Sequence, residues 1–156
     1  MSFSISLEAI TKYFDEQPIF KNLSLNIESG TSNVLVGPAA SGKSLLLKCI
    51  LGLSKIDSGD ISINGRYGIN RLKQLDNIGV MFQENALFDS LTIWENIVFK
   101  PLNQKKFSKE KGKSIAKEQL EQVKLSSDTL NKSPSELSGP MQKRVDLERA
   151  LLNNPK

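Results

Sequence analysis

Apolar and polar positions alternate at the start of the chain, with Phe3, Ile5 and Leu7 in step, and alternate again at Leu23, Leu25 and Ile27. Alternation of this kind places the apolar side chains on one face of a strand, so residues 3–10 and 19–27 are predicted as antiparallel strands joined by a turn around residues 15–18. The pattern then changes. Val34, Leu35 and Val36 form a short continuous apolar run, with Asn33 before it, that opens into Gly37-Pro38, as a buried parallel strand entering a loop would. Helical spacing takes over from Lys43 to about Gly52; residues 60–64 read as another short strand before a turn at Gly65, and residues 78–82 as a buried strand. Beyond that point the helical period dominates. Helices are predicted over 92–99 and 108–123, with Pro101 separating them. A last helix is predicted behind Ser138 as cap, with Pro140 in its first turn and Val145, Leu147, Leu151 and Leu152 on one face. There is no internal repeat and no low-complexity linker.

Composition narrows the class. The 156 residues match the size of one average domain, and 38% hydrophobic content excludes a disordered or collagen-like chain. A single cysteine, Cys49, excludes an intrachain disulfide framework; on the helix after the loop it reads as a small core residue rather than a redox group. The apolar stretch 45–53 is interrupted by Lys48 and falls short of the roughly 18 residues of a membrane span. The N-terminus has no basic segment followed by an apolar one, so a soluble, cytoplasmic chain is expected.

The net charge of +4 is concentrated: residues 100–124 carry eight Lys against Glu110, Glu118 and Glu121, leaving the remainder slightly acidic. That distribution describes a solvated Lys-rich helix, with at most a weak attraction to anionic headgroups, rather than a basic face for nucleic acid. The absence of histidine excludes His-based acid–base chemistry and His-ligated metal within these residues.

The strongest chemical signal is Gly37-Pro38-Ala39-Ala40-Ser41-Gly42-Lys43-Ser44. It satisfies the strand, G-x-x-x-x-G-K-[ST], helix arrangement in which glycines let successive backbone N–H groups face a β-phosphate and the helix adds its positive N-terminal dipole. In such loops the lysine, here Lys43, bridges the β- and γ-phosphates, and the hydroxyl, here Ser44, ligates Mg²⁺. The motif alone does not choose among kinases, GTPases and motor-type ATPases.

Three further segments make the choice. Met81-Phe82-Gln83 closes the 78–82 run and continues into Ala86-Leu87-Phe88-Asp89-Ser90-Leu91, then Glu95-Asn96 and Pro101-Leu102. Pro134-Ser135-Glu136-Leu137-Ser138-Gly139-Pro140-Met141 precedes Arg144, and Tyr13 stands ahead of the second strand. With the phosphate loop, these segments resemble the ATP-binding cassette (ABC) ATPases and, within them, the Mla-type lipid-transport subunits. The resemblance implies an α/β P-loop NTPase fold with an ABC-type nucleotide-binding domain, incomplete here: an antiparallel β subdomain, part of the parallel core sheet and a helical subdomain. It divides the chain into residues 1–82 for the β subdomain and phosphate-loop core, 83–140 for the Q-loop and helical subdomain, and 141–156 for the signature helix.

What the resemblance implies can be carried over residue by residue. Gln83 resembles the Q-loop glutamine that approaches Mg²⁺ and the attacking water. Ser138 and Gly139 resemble the signature residues that cap ATP held by the opposite subunit, which implies a head-to-tail pair of cassettes. Tyr13 resembles the aromatic residue that stacks on adenine, while a plain core role for Tyr13 or its neighbour Phe14 stays open. Trp94 is either core or an anchor toward a membrane partner, the second being favoured because its helix resembles the permease-docking element.

The sequence also departs from the family's pattern. Pro140 replaces the second signature glycine and has no N–H to offer a phosphate. Met141 stands where most cassettes have Gln, and Asp146 and Glu148 stand where small Ala-like residues are usual. Those two acids lie either on the exposed side of the helix or against its packing. The sequence ends at Asn154-Pro155-Lys156, ahead of the segment in which the family carries the Walker B aspartate, the catalytic glutamate and a switch histidine.

Two functions follow as expectations. One is the ATP-binding subunit of an ABC transporter, using ATP and Mg²⁺ to energise lipid trafficking through a membrane permease and lying on the inner face of the membrane through that permease alone. The other is a non-hydrolytic nucleotide-binding remnant or interaction module. A soluble ABC ATPase acting on nucleic acid or ribosomes is disfavoured by the lack of a broad basic face.

Overall fold

Asp15 and Glu16, both with left-handed backbone (φ 45° and 65°), fold the first strand back on itself. Two consecutive residues of that conformation make the tight turn whose twist matches a hairpin. They join β1 (Ile5–Phe14) to β2 (Gln17–Ile27) in antiparallel register, Ile5 facing Ile27 and Leu7 facing Leu25. The computed structural model describes residues 3–82, 86–152 and 154–155. The chain divides into two units, Met1–Leu75 and Asp76–Lys156.

In the first unit a third strand, β3 (Ser58–Ile63), pairs antiparallel with the other side of β1, giving the order β2-β1-β3. Leu7 and Ile10 are both buried although strict alternation would put them on opposite faces. A bulge reconciles them. Ala9 takes φ 48° and the register shifts between Leu7 and Ile10, which returns Ile10 to the core side. The amide of Ala9 donates to Ser24 Oγ (2.9 Å), so the bulged backbone is not left unpaired. Opposite the bulge, Gly59 is obligatory: at φ 86°, a Cβ there would sit 2.5 Å from the carbonyl oxygens of Glu8 and Ala9. Helix α1 (Lys43–Ile50) covers the sheet with Leu46, Cys49 and Ile50, which join Leu7, Ile10 and Ile61 in one apolar cluster.

The rear of α1 is closed by backbone and side chain together. Gly52, at φ 71°, donates to the carbonyl of Cys49 (3.1 Å) and Leu53 to that of Lys48 (2.8 Å), the paired bonds of a Schellman ending. Arg71, from the short helix α2 (Gly68–Leu72), donates to the carbonyls of Cys49 (3.1 Å) and Ile50 (2.5 Å).

The second unit is helical: α3 (Ile93–Ile97), α4 (Phe99–Asn103), α5 (Lys109–Gln122) and α6 (Gly139–Leu151). Ile93, Trp94, Ile97 and Val98 pack with Ala116 and Leu120 of α5, Val145 of α6, and Leu125, Leu130 and Leu137 of the connections. Trp94 therefore belongs to the core and not to a free docking surface. The α3 start is fixed by a capping box between Thr92 and Glu95. The fully buried Asn96 amide ties down the preceding loop: Oδ1 accepts from the Phe88 amide (2.7 Å), and Nδ2 donates to the carbonyls of Phe88, Leu91 and Thr92 (3.0–3.2 Å).

Four expectations are corrected. Residues 33–36 are not a buried strand; Val34 and Val36 are each 82% exposed, and no ladder forms there among the described residues. Residues 78–82 likewise form no strand, with Met81 and Phe82 exposed. A parallel strand needs hydrogen-bonding neighbours on its edges and covers on both faces, which apolar composition cannot supply alone. Pro101 does not separate two helices but lies in the first turn of α4, where its missing N–H costs no intrahelical bond. On α6, Leu147 and Leu151 face solvent while Asp146 and Glu148, 1% and 3% exposed, are buried beside Val145. Of the predicted face, Val145 and Leu152 pack on the core and Leu147 and Leu151 do not, because the buried side of α6 also takes the carboxyls of Asp146 and Glu148.

Candidate functional site

The phosphate-loop motif lies in the first unit, and the hairpin forms part of its wall. A cleft of about 280 Å³ is lined by Ile19 of β2 and by Ala40, Ser41, Gly42, Lys43, Ser44 and Leu45. Gly42 caps α1 at φ 88°, and a Cβ there would come within 2.4 Å of Ile19 Cγ2, so both the turn and the wall require glycine. Ala40 is also left-handed (φ 60°), a conformation that costs a non-glycine residue energy and that is concentrated at ligand-holding turns.

The loop encloses its own cation. Lys43 Nζ donates to the carbonyls of Gly37 (2.8 Å) and Pro38 (2.5 Å) and to Ser41 Oγ (3.3 Å). Helix α1 opens with no side-chain cap and no acid in its first turn. The first amides of a helix have no intrahelical acceptor, and among the described residues no side chain caps α1 in its place. These features together suit a polyphosphate: uncapped amides at a positive helix end, an ammonium within the same loop, and the adjacent Ser44 hydroxyl.

The remaining predicted site residues fall in two places. Tyr13 is the penultimate residue of β1 in the first unit, paired with Pro18 and partly exposed. Ser138 and Gly139 lie in the second unit, where Ser138 is the N-cap of α6 by backbone position (ψ 155°). Its hydroxyl makes no capping bond, contrary to the expectation that it caps the helix, and Pro140 lies in the first turn. The turn ahead of it is held instead by the Ser133–Glu136 capping box and by Gln142 Nε2, which donates to the carbonyls of Pro134 (2.8 Å) and Leu137 (3.1 Å). Gln83 lies outside the described residues. On either side of residues 83–85, Phe82, Ala86 and Phe88 line a cleft of about 360 Å³ in the second unit, with Phe99, Pro101 and Arg149.

Cys49 is buried, and burial pushes its thiol above the ordinary range against a hydrogen bond from Ser54, as suits a core residue. Two residues escaped the sequence reading. Asp57 grips β1 from 44 positions away, a separation that leaves no local signal. Asn96, read in the sequence only as part of the pair Glu95-Asn96, gave no sign of its loop-holding role beyond being a polar residue among Ile93, Trp94 and Ile97.

The loop, the helix it opens and the hairpin beside it define a P-loop nucleotide-binding cassette. A model of the ABC transporter family matches residues 20–156. The spermidine/putrescine import ATP-binding protein PotA of Thermotoga maritima is 36% identical over 152 residues, 97% of this chain and 41% of that protein. The glutamine transport ATP-binding protein GlnQ of Escherichia coli is 38% identical over 157 residues, 97% of this chain and 65% of that protein. The dimeric structure of MJ0796, a bacterial ABC transporter cassette, superposes with a TM-score of 0.83 at 33% identity, covering 97% of this chain and 70% of that one; MJ0796 has also been solved bound to ADP and Pi. This chain belongs to the ABC transporter family, as part of its ATP-binding cassette. It spans between 41% and 65% of the length of the two curated relatives. Among the described residues no helix is long and apolar enough to cross a membrane, and no group of three or more acidic, Cys or His side chains could hold a metal ion.

Proposed function

We propose that the chain is the nucleotide-gripping part of an ABC transporter ATPase, holding the triphosphate of ATP in the 37–44 loop. The observation that carries this reading is the conjunction at α1: an uncapped N-terminus, the Lys43 ammonium inside the loop, and a turn at Gly42 that no side chain could share. Lys43 would exchange its carbonyl partners for phosphate oxygens, and Ser44 would offer its hydroxyl to Mg²⁺, which neutralises phosphate charge when bound. Gln83 would join Ser44 in holding that ion, and Tyr13 would supply the adenine platform.

A second cassette and a permease are the proposed partners. Ser138, with its hydroxyl free of capping duty, and the Gly139 amide would face nucleotide on an opposing, head-to-tail copy. The cleft at Phe82, Phe88 and Phe99 offers an apolar seat for a permease segment, which would hold the chain at the inner face of the membrane. For cargo we favour lipid, on the likeness of residues 86–91, 95–96 and 101–102 to Mla-type sequences; PotA and GlnQ are named for polyamine and glutamine transport instead.

One observation favours a second reading, a non-hydrolytic module. Pro140, in the first turn of α6, has no N–H and so removes one amide from the turn that would face a nucleotide. A single titration addresses the first reading: labelled ATP with Mg²⁺ should bind saturably to the folded chain and lose that binding in Lys43→Ala. Equal uptake by the two proteins would overturn it. Turnover above the Lys43→Ala background then separates enzyme from module.

A further inference from the structure

The last residues of β1 are held from outside the hairpin. Tyr13 pairs with Pro18, which has no N–H, and the register of β1 against β2 slips at Lys12 and again at Tyr13. Asp57, just ahead of β3, makes good the loss. Its carboxylate accepts from the Tyr13 amide (2.7 Å) and from Lys12 Nζ through both oxygens (3.2 Å each), and its own amide donates to the Thr11 carbonyl (2.9 Å). Three consecutive residues are thereby fixed by one. The clasp adjoins the phosphate loop: Lys12 pairs with Phe20, and Phe20 and Ile19 are the side chains that meet Gly42.

We propose that Asp57 is a positioning residue for the nucleobase: by gripping the Tyr13 amide and the Lys12 ammonium, it sets the Tyr13 ring as a rigid platform beside the phosphate loop. The inference rests on the nucleotide-binding reading and deepens it, because it assigns the adenine part of the affinity to a residue that touches neither base nor phosphate. Asp57 is half-exposed, and the Tyr13 amide, with Lys12 behind it, keeps its carboxyl below the ordinary value, so the charged form that makes the clasp is the one present at neutral pH. An aromatic ring stacks usefully on a base only when its backbone is fixed; a mobile ring gives back much of the contact as ordering entropy.

The test compares ATP with inorganic tripolyphosphate, both with Mg²⁺, by calorimetric titration of the full chain. Asp57→Ala should weaken ATP about five- to tenfold and leave tripolyphosphate unchanged. Tyr13→Ala should do the same. The double variant should be no worse than Tyr13→Ala alone, since two residues acting through one contact are not additive. Asp57→Asn, which keeps an acceptor for the Tyr13 amide, should recover most of the loss. Equal weakening of both ligands, no weakening of ATP, or additive losses in the double variant would each overturn the proposal. If Asp57→Ala does not fold, Lys12→Ala decides the matter by the ratio of ATP to tripolyphosphate affinity. A fall of about twofold supports the clasp and an unchanged ratio removes it. If the unsubstituted chain binds neither ligand, the nucleotide reading itself has failed and this inference goes with it. Binding of tripolyphosphate that is insensitive to Asp57, with ATP equally insensitive, defeats only the clasp.

Discussion

Asp146 accepts a hydrogen bond from Arg149, one turn further along α6, and the pair is turned into the helical unit rather than toward water. Arg149 also donates to the carbonyl of Ala86 (2.5 Å), so one guanidinium serves both the helix and the loop before α3. A buried carboxylate is tolerable only with such a partner, and removing the partner is worse than removing both. Arg149→Ala should therefore destabilise the chain by about 3–5 kcal/mol, and Asp146→Ala combined with Arg149→Ala should be the more stable of the two variants. Urea denaturation of the pair measures this; a double variant weaker than Arg149→Ala would contradict the pairing.

Glu148, two residues along, has a buried Oε2 with no hydrogen-bond partner among the described residues, and burial pushes its carboxyl above the ordinary range. A raised pKa means that the folded chain holds the proton more tightly than the unfolded one. The stability this contributes is fully present below the unfolded value and is lost as pH climbs through the folded one. Glu148→Gln should accordingly raise the melting temperature at pH 7, and the advantage should shrink as pH falls toward 4.5. Carboxylates held below their usual range, among them Asp76, Glu95 and Glu136, act in the opposite sense in both proteins and cancel in the difference. An advantage independent of pH would show that the side chain is not the titrating group.

Asn96 meets four backbone groups with one amide. Asn96→Ala should cost about 2–3 kcal/mol, since buried donors and acceptors are left without partners. The loss should be local first. Amide exchange is expected to speed up at Phe88 and Leu91 before it does in α5, and uniform acceleration across the helical unit would argue against a loop-fixing role.

Gly59→Ala should destabilise the first unit by about 1–3 kcal/mol, since φ 86° is unfavourable for alanine and the added methyl meets backbone rather than a yielding side chain. Loss of β1–β3 pairing would be read from exchange at Leu7 and Ile61, which face each other across that ladder. Unchanged stability would mean that the bulge can relax away from Gly59.

How far the sequence foretold this arrangement depended on how local each cause was. The phosphate-loop motif, the hairpin and the extent of α5 were legible because their determinants lie within a few residues of one another. Residues 33–36 and 78–82 were misjudged because strand formation depends on neighbours that a run of Val and Leu does not specify. The α6 face was half legible, right at Val145 and Leu152 and wrong at Leu147 and Leu151, because Asp146 is buried in a pair with Arg149 that apolar periodicity cannot register. Asp57 was missed for the plainest reason: its partners at residues 11–13 are adjacent only after β3 has folded against β1.

Helix α1 is fastened from behind. Gly52, Leu53 and Arg71 already satisfy its rear carbonyls, and Leu46, Cys49 and Ile50 seat it on the sheet. An anion bound as proposed would thus meet a receptacle already in shape: it would evict no capping side chain of the described residues and wind no new turn. Of the bonds described, the Lys43 ammonium would have to let go of its carbonyls, so most of the contact energy would be kept as affinity instead of being absorbed by reordering.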